Sequence, residues 1–275
     1  MPNSGIRRVH EMLEKRDYIH VGTDEAFENY KKESVIDADI ENVYNTIEYC
    51  MKKPDLLGKT LLVSERQFSK VNGLVSELCD FMDMSKPEVY VFEDFFYGIE
   101  SYGMHDYWIE ISAKTIRDFT DSELRFLFAR ELYKIKAGVV YQTMLKNQVF
   151  GLQASIPAIG ELLKETSRFK FNHWCRLENY TADNFGYLMC NDLTASINAI
   201  VAMVLNSKTM LSEIDMMAFI KQASAINKMD DVVSNYTKSD ETMPYAPYRV
   251  ECLLAYAVSK RGIKARKELE RCLNC

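Results

Sequence analysis

The stretch FLFARELYKIKAG, residues 126–138, decides how this chain is read. An apolar run carries Glu131 between Arg130 and Lys134, which stand four residues apart and therefore share one face of a helix. Thr120 or Asp121 supplies an N-cap and Glu123 an acid at the positive helix end, so a helix is expected from about residue 121 to about residue 145. Taken alone, these residues describe an amphipathic helix with a solvated Glu-Lys arrangement.

Working outward, helical periodicity dominates. Residues 42–53 and 68–84 place apolar side chains three and four apart. The period then changes: PEVYVFED (87–94) and DYWIEIS (106–112) are β-branched and aromatic and read as strands, joined through FFYGIESYG (95–103) as an antiparallel hairpin or meander. A loop is expected around 151–160, and helices at roughly 172–189, 192–206 and 211–226. A further loop is expected at 234–248, before a last helical region that ends near 270. The fold class is α+β, mostly α, with a small antiparallel or mixed sheet.

The 275 residues carry 47% apolar and 27% charged side chains, a balance that suits a packed core. A net charge of −6 argues against a nucleic-acid partner, and the basic residues from Lys260 to Arg271 are interleaved with Glu268 and Glu270 as a solvated face. Seven scattered cysteines do not form a disulfide framework, and the longest apolar run, 195–205, is too short to span a bilayer. A reduced, cytoplasmic location without a membrane span is expected.

RELYK (130–134) occupies a five-residue frame that metallopeptidases fill with H-E-x-x-H, where two histidines at i and i+4 hold Zn²⁺ and the Glu polarises water. Downstream, RLENYTADNFGYLM (176–189) and TMPYAPYRVECL (242–253) follow in order. Together these stretches resemble the HtpX and CAAX-prenyl-endopeptidase family of zinc metallopeptidases. That family reads R-x-x-E-x-x-A-D-x-x-G, then T-H-P-x-x-x-x-R-I-x-x-L. Upstream, SELCDFMDMSKPEVYVFED (76–94) and residues 107–138 resemble its helix, strand and active-site helix, so the likeness covers about 65–257.

The resemblance implies a zincin-like domain over 65–275, preceded by a helical N-terminal extension over 1–64. It makes Glu131 the counterpart of the general base and Glu178 that of the third zinc ligand. Asp183 and Arg249 fall on the family's Asp and Arg, while Arg130, Lys134 and Met243 stand where its histidines would be. Arg and Lys offer no lone pair to a metal, so zinc is expected to be absent. Arg130 or Lys134 is expected to pair with Glu178 in the metal's place. Tyr97, Tyr102 and His105 are candidates to line a groove beside the sheet edge. The function that follows is a pseudopeptidase that binds a peptide or protein partner in the old cleft. The alternative is an active hydrolase, with an unusual metal site or a metal-independent mechanism through Glu131.

Overall fold

The computed structural model describes residues 12–32, 49–93, 95–153 and 161–273. The chain is mostly helical around one four-stranded mixed sheet. Short helices α1 (Lys15–Tyr18), α2 (Thr23–Lys31) and α3 (Tyr49–Lys59) lead to β1 (Leu61–Leu62) and α4 (Ser69–Met82). Then come β2 (Glu88–Phe92), β3 (Ile99–Tyr102) and β4 (Trp108–Ser112). A short α5 (Ala113–Asp118) and its exit bring in α6 (Asp121–Lys136), α7 (Val139–Gln153) and the long α8 (Glu161–Cys190). The C-terminal part is α9 (Leu193–Leu205), α10 (Met216–Asn227), α11 (Val232–Asp240), α12 (Ala246–Val258) and α13 (Lys260–Leu273).

The sheet order is β1-β2-β4-β3. The two strands expected to form a hairpin run parallel instead, with Val89 opposite Ile109 and Val91 opposite Ile111. Parallel neighbours need a connection of about a dozen residues or more, and the segment between Phe92 and Trp108, which contains FFYGIESYG, provides it while contributing a strand of its own, β3. β3 pairs antiparallel with β4 and forms one edge of the sheet. Val89, Val91, Ile109 and Ile111 turn one face into the main core, while Tyr90 and Trp108 face α3 and pack against Leu56. β1 extends the sheet beside β2, and Leu13 and Val63 enter the main core, so the described part of 1–64 is built into the same packing unit.

α6 starts as its sequence dictates. Thr120 is the N-cap, and its hydroxyl accepts from the Glu123 N–H while the Glu123 carboxylate accepts from the Thr120 N–H. It stops at Lys136, earlier than the periodicity alone suggests. Gly138 adopts φ 75, a left-handed conformation that a side chain resists, and donates to the Ile135 carbonyl to close the helix end. Of the loop expected at 234–248, the residues to Asp240 belong to α11, capped by Asp231, and those from Ala246 to α12, so only 241–245 remain irregular. The loop expected around 151–160 lies mostly outside the described residues. Among those described, no helix is long and apolar enough to cross a membrane.

A buried ion-pair network between three helices and the sheet edge

α6 and α8 cross at unusually short range. A Cβ on Gly186 would lie 2.9 Å from the Phe126 carbonyl oxygen and 2.8 Å from Arg130 Cγ, so only glycine admits this approach. Asn179, Ala182, Asp183 and Gly186 are spaced to share one face of α8, and that face meets Phe126 and Arg130. Glu178, Thr181 and Phe185 lie on the adjacent face. Thr181 accepts from the His20 N–H at 2.9 Å, and Phe185 packs edge-on to Tyr18 at 5.2 Å, so the N-terminal segment covers this second face.

Asp183 is the hub of the first face. Its Oδ1 accepts from Arg130 Nε at 2.5 Å and Arg249 Nη2 at 2.8 Å, and its Oδ2 accepts from Arg249 Nε at 2.8 Å. All three side chains are buried: Asp183 is 1% exposed, Arg130 4% and Arg249 8%. Burial alone would raise the Asp183 pKa, but the two guanidiniums override it and hold the carboxyl below its ordinary value. Burial lowers Arg130, whereas Asp183 raises Arg249. Arg130 also donates to Asn179 Oδ1 at 3.2 Å, and Asn179 in turn donates to the carbonyls of Cys175 and Thr242.

Glu131 forms a second centre. Its Oε2 accepts from Lys134 Nζ at 2.7 Å, from the Ser101 N–H at 3.0 Å and from the Ser101 hydroxyl at 2.6 Å, and Arg130 stands 3.8 Å from its other oxygen. Ser101 belongs to β3, so the carboxylate of α6 takes an edge N–H that a pairing strand would otherwise use. α7 lies against β3 as well, where Leu145 packs on Met104 and Tyr141 faces His105.

The expected pairing of Arg130 or Lys134 with Glu178 is not what the geometry shows. The two cations turn to Asp183 and Glu131, while Glu178 accepts from the Tyr133 hydroxyl at 2.8 Å on the neighbouring face. Burial raises the Glu178 pKa, only partly offset by that hydrogen bond. Besides Asp183, Arg130 reaches Asn179 on α8, and the sequence held a signal for it. In R-x-x-E-x-x-A-D the Glu lies three residues after the Arg and three before the Ala, and from Arg176 and Ala182 both counts land on Asn179. Ser101 had no such signal, because nothing local to β3 announces a contact with α6.

The remaining candidates are dispersed. Met243 is 40% exposed and lines a small cavity with Arg176, Tyr180, Tyr245 and Tyr248, one residue beyond the Thr242 carbonyl that Asn179 reaches. Tyr97 packs on Phe119 and donates to Asp118, Tyr102 stacks on Trp108 and donates to Glu100, and His105 faces Tyr141. These three belong to separate packing neighbourhoods.

The donor set around Glu131 does not fit zinc. Two cations stand on the site, Asn179 is held by three other groups, and Glu178 faces the wrong side of α8. Among the described residues, no three His, Cys, Asp or Glu side chains are grouped to hold a metal ion. What the arrangement can do is mechanical: it ties α6, α8, α12 and the sheet edge together through charge-assisted hydrogen bonds.

Comparison with known proteins gives no matching family model and no matching solved structure. The chain is 23% identical over 176 residues to the plastoglobule-localized metallopeptidase 48, chloroplastic, of Arabidopsis thaliana. That alignment covers 62% of this chain and 51% of the relative, so the chain spans about half the length of the curated relative it matches. Over that part of its length the chain is similar to a metallopeptidase.

Proposed function

We propose that this protein is a non-catalytic relative of the HtpX and CAAX-prenyl-endopeptidase family, in which the zinc positions have become Arg130, Lys134 and Asn179. The single observation that carries this reading is the closed network in which Arg130 sits on Asp183 and Asn179 and Lys134 sits on Glu131. Two positive side chains occupy the place of a dication, and the neighbouring acids keep their partners. Glu131, 1% exposed and engaged by three donors, is poorly placed to take a proton as general base. The same contacts weigh against a peptide in the old cleft, because the Ser101 N–H is taken from within the chain. A peptide or protein partner is therefore expected on another surface. The described cysteines are free thiols, which supports the proposed reducing, cytoplasmic location.

The test is elemental analysis of protein purified without chelator, run beside a peptidase assay on a casein digest. The expected result is sub-stoichiometric zinc and no hydrolysis. One zinc per chain, or hydrolysis that a chelator abolishes, overturns the proposal.

A further inference from the structure

A groove unrelated to the Glu131 network runs along the outer side of α8. A cavity of about 880 Å³ opens between α2 and α8, and a second of about 220 Å³ continues it toward α12, the two sharing Arg176 and Ser239 in their walls. Lys170, His173 and Arg176 stand at i, i+3 and i+6 on α8, so their side chains form one basic stripe along the floor. Lys238 of α11 adds a fourth basic side chain at the far end. Glu25 and Glu241 are the acids in the two linings.

Arg176 is a fixed part of this floor. It donates to the carbonyls of Ser239 and Glu241, which ties the end of α11 to α8 and holds the two cavities in line. His173 is pushed below the ordinary histidine pKa by burial and by Arg176, as expected where positive potential accumulates. The wall near α12 is aromatic: Tyr245 stacks on Tyr248 at 6.4 Å, and Tyr180 faces the same cavity. From Lys170 to Tyr180 α8 rises about 15 Å, the span of four or five extended residues.

We infer that this groove is a docking site for an acidic peptide segment of a partner protein, whose carboxylates lie along Lys170, Arg176 and Lys238 and whose apolar side chain enters the tyrosine-lined end. Charge complementarity selects the occupant: the chain as a whole carries −6, yet this groove gathers three full cations against two acids. The mixture of ring faces and interspersed charge suits a peptide better than a phosphate backbone, which is held by dense basic surface. The inference does not depend on the state of Glu131, because Arg176 and Lys238 bond to the carbonyls of Ser239, Glu241 and Met229 rather than to that network.

The experiment uses the full chain and a fluorescein-labelled hexapeptide, Glu-Leu-Asp-Tyr-Glu-Leu, with a counterpart in which lysine replaces each acid. Anisotropy should show saturable binding of the acidic probe alone, weakening at least about tenfold between about 50 mM and about 500 mM salt. Lys170→Glu combined with Lys238→Glu should weaken it by a similar factor with an unchanged unfolding temperature. Equal binding of the two peptides overturns the proposal, as does unchanged binding to the double variant. Acidic-probe binding that emerges only when residues 33–48 are replaced by a Gly-Ser linker assigns the groove to that acidic stretch of the chain itself and overturns the partner reading.

Discussion

Asp183 and Glu178 sit five residues apart on one helix, and both are more than nine-tenths buried. Their acidities move in opposite directions. Asp183 faces two guanidiniums and is held below the ordinary carboxyl range, whereas Glu178 faces a phenol and is raised by burial. The desolvation penalty acts on both, so the difference comes from the partners. A carboxylate inside a protein is a countercharge only where cations are built around it. Where a neutral donor is built instead, burial is offset only in part and the carboxyl pKa is raised.

The sharpest way to break this comparison is to neutralise each acid in turn. Asp183→Asn leaves Arg130 and Arg249 facing each other with only Glu131, 3.8 Å from Arg130, as counter-charge, and it is expected to cost about 3–5 kcal/mol in urea unfolding. Glu178→Gln keeps an acceptor for the Tyr133 hydroxyl and should change stability by less than about 1 kcal/mol at neutral pH. Equal losses would refute the assignment of different roles to the two acids.

The crossing that holds Asp183 in place is tested next. Gly→Ala in a helix ordinarily stabilises by up to about 1 kcal/mol, but Gly186→Ala drives a methyl into Phe126 and Arg130 and should destabilise by about 1–3 kcal/mol. A stabilising outcome would mean that α6 and α8 are not in contact there.

Lys134→Ala removes one of three donors to Glu131 and leaves both Ser101 donors in place. Its expected cost is about 2 kcal/mol, below that of Asp183→Asn, because the orphaned carboxylate keeps two hydrogen bonds. A loss as large as that of Asp183→Asn would make Lys134 the true centre of the network.

The smallest effect is in pH dependence, and its sign separates the two acids. Asp183, with its lowered pKa, contributes stability that is present above the unfolded value near about 4 and is lost as pH falls through the lower folded value. Glu178, with its raised pKa, contributes most below about 4 and loses that contribution as pH rises through its folded value. Asp183→Asn should therefore flatten the acid limb of the stability curve, and Glu178→Gln should raise the limb above it. Unfolding temperatures across that range would show whether either change leaves the curve untouched.

Much of the architecture was legible in the residues themselves. Thr120 and Glu123 mark the start of α6, and the β-branched runs mark β2 and β4, because caps and alternation are local properties. The parallel pairing of those strands was not legible, since a 3.6- or 2-residue period says nothing about which strand lies beside which. Arg249 and Asp183 could be picked out by their place in ordered motifs. Their bidentate contact, 66 residues apart in sequence, could not be.

The sequence by itself determined that residues 130 and 134 are cations and that α8 presents small and acidic residues toward a close neighbour, because residue identity and helical spacing are written in the chain. Only the tertiary structure decided which acid each cation meets. One residue along a helix turns a side chain by about 100°, enough to move Glu178 onto the Tyr133 hydroxyl and to bring Asn179 against Arg130. The same assembly brought Ser101 from a distant strand onto Glu131, and that contact closes the edge of the sheet.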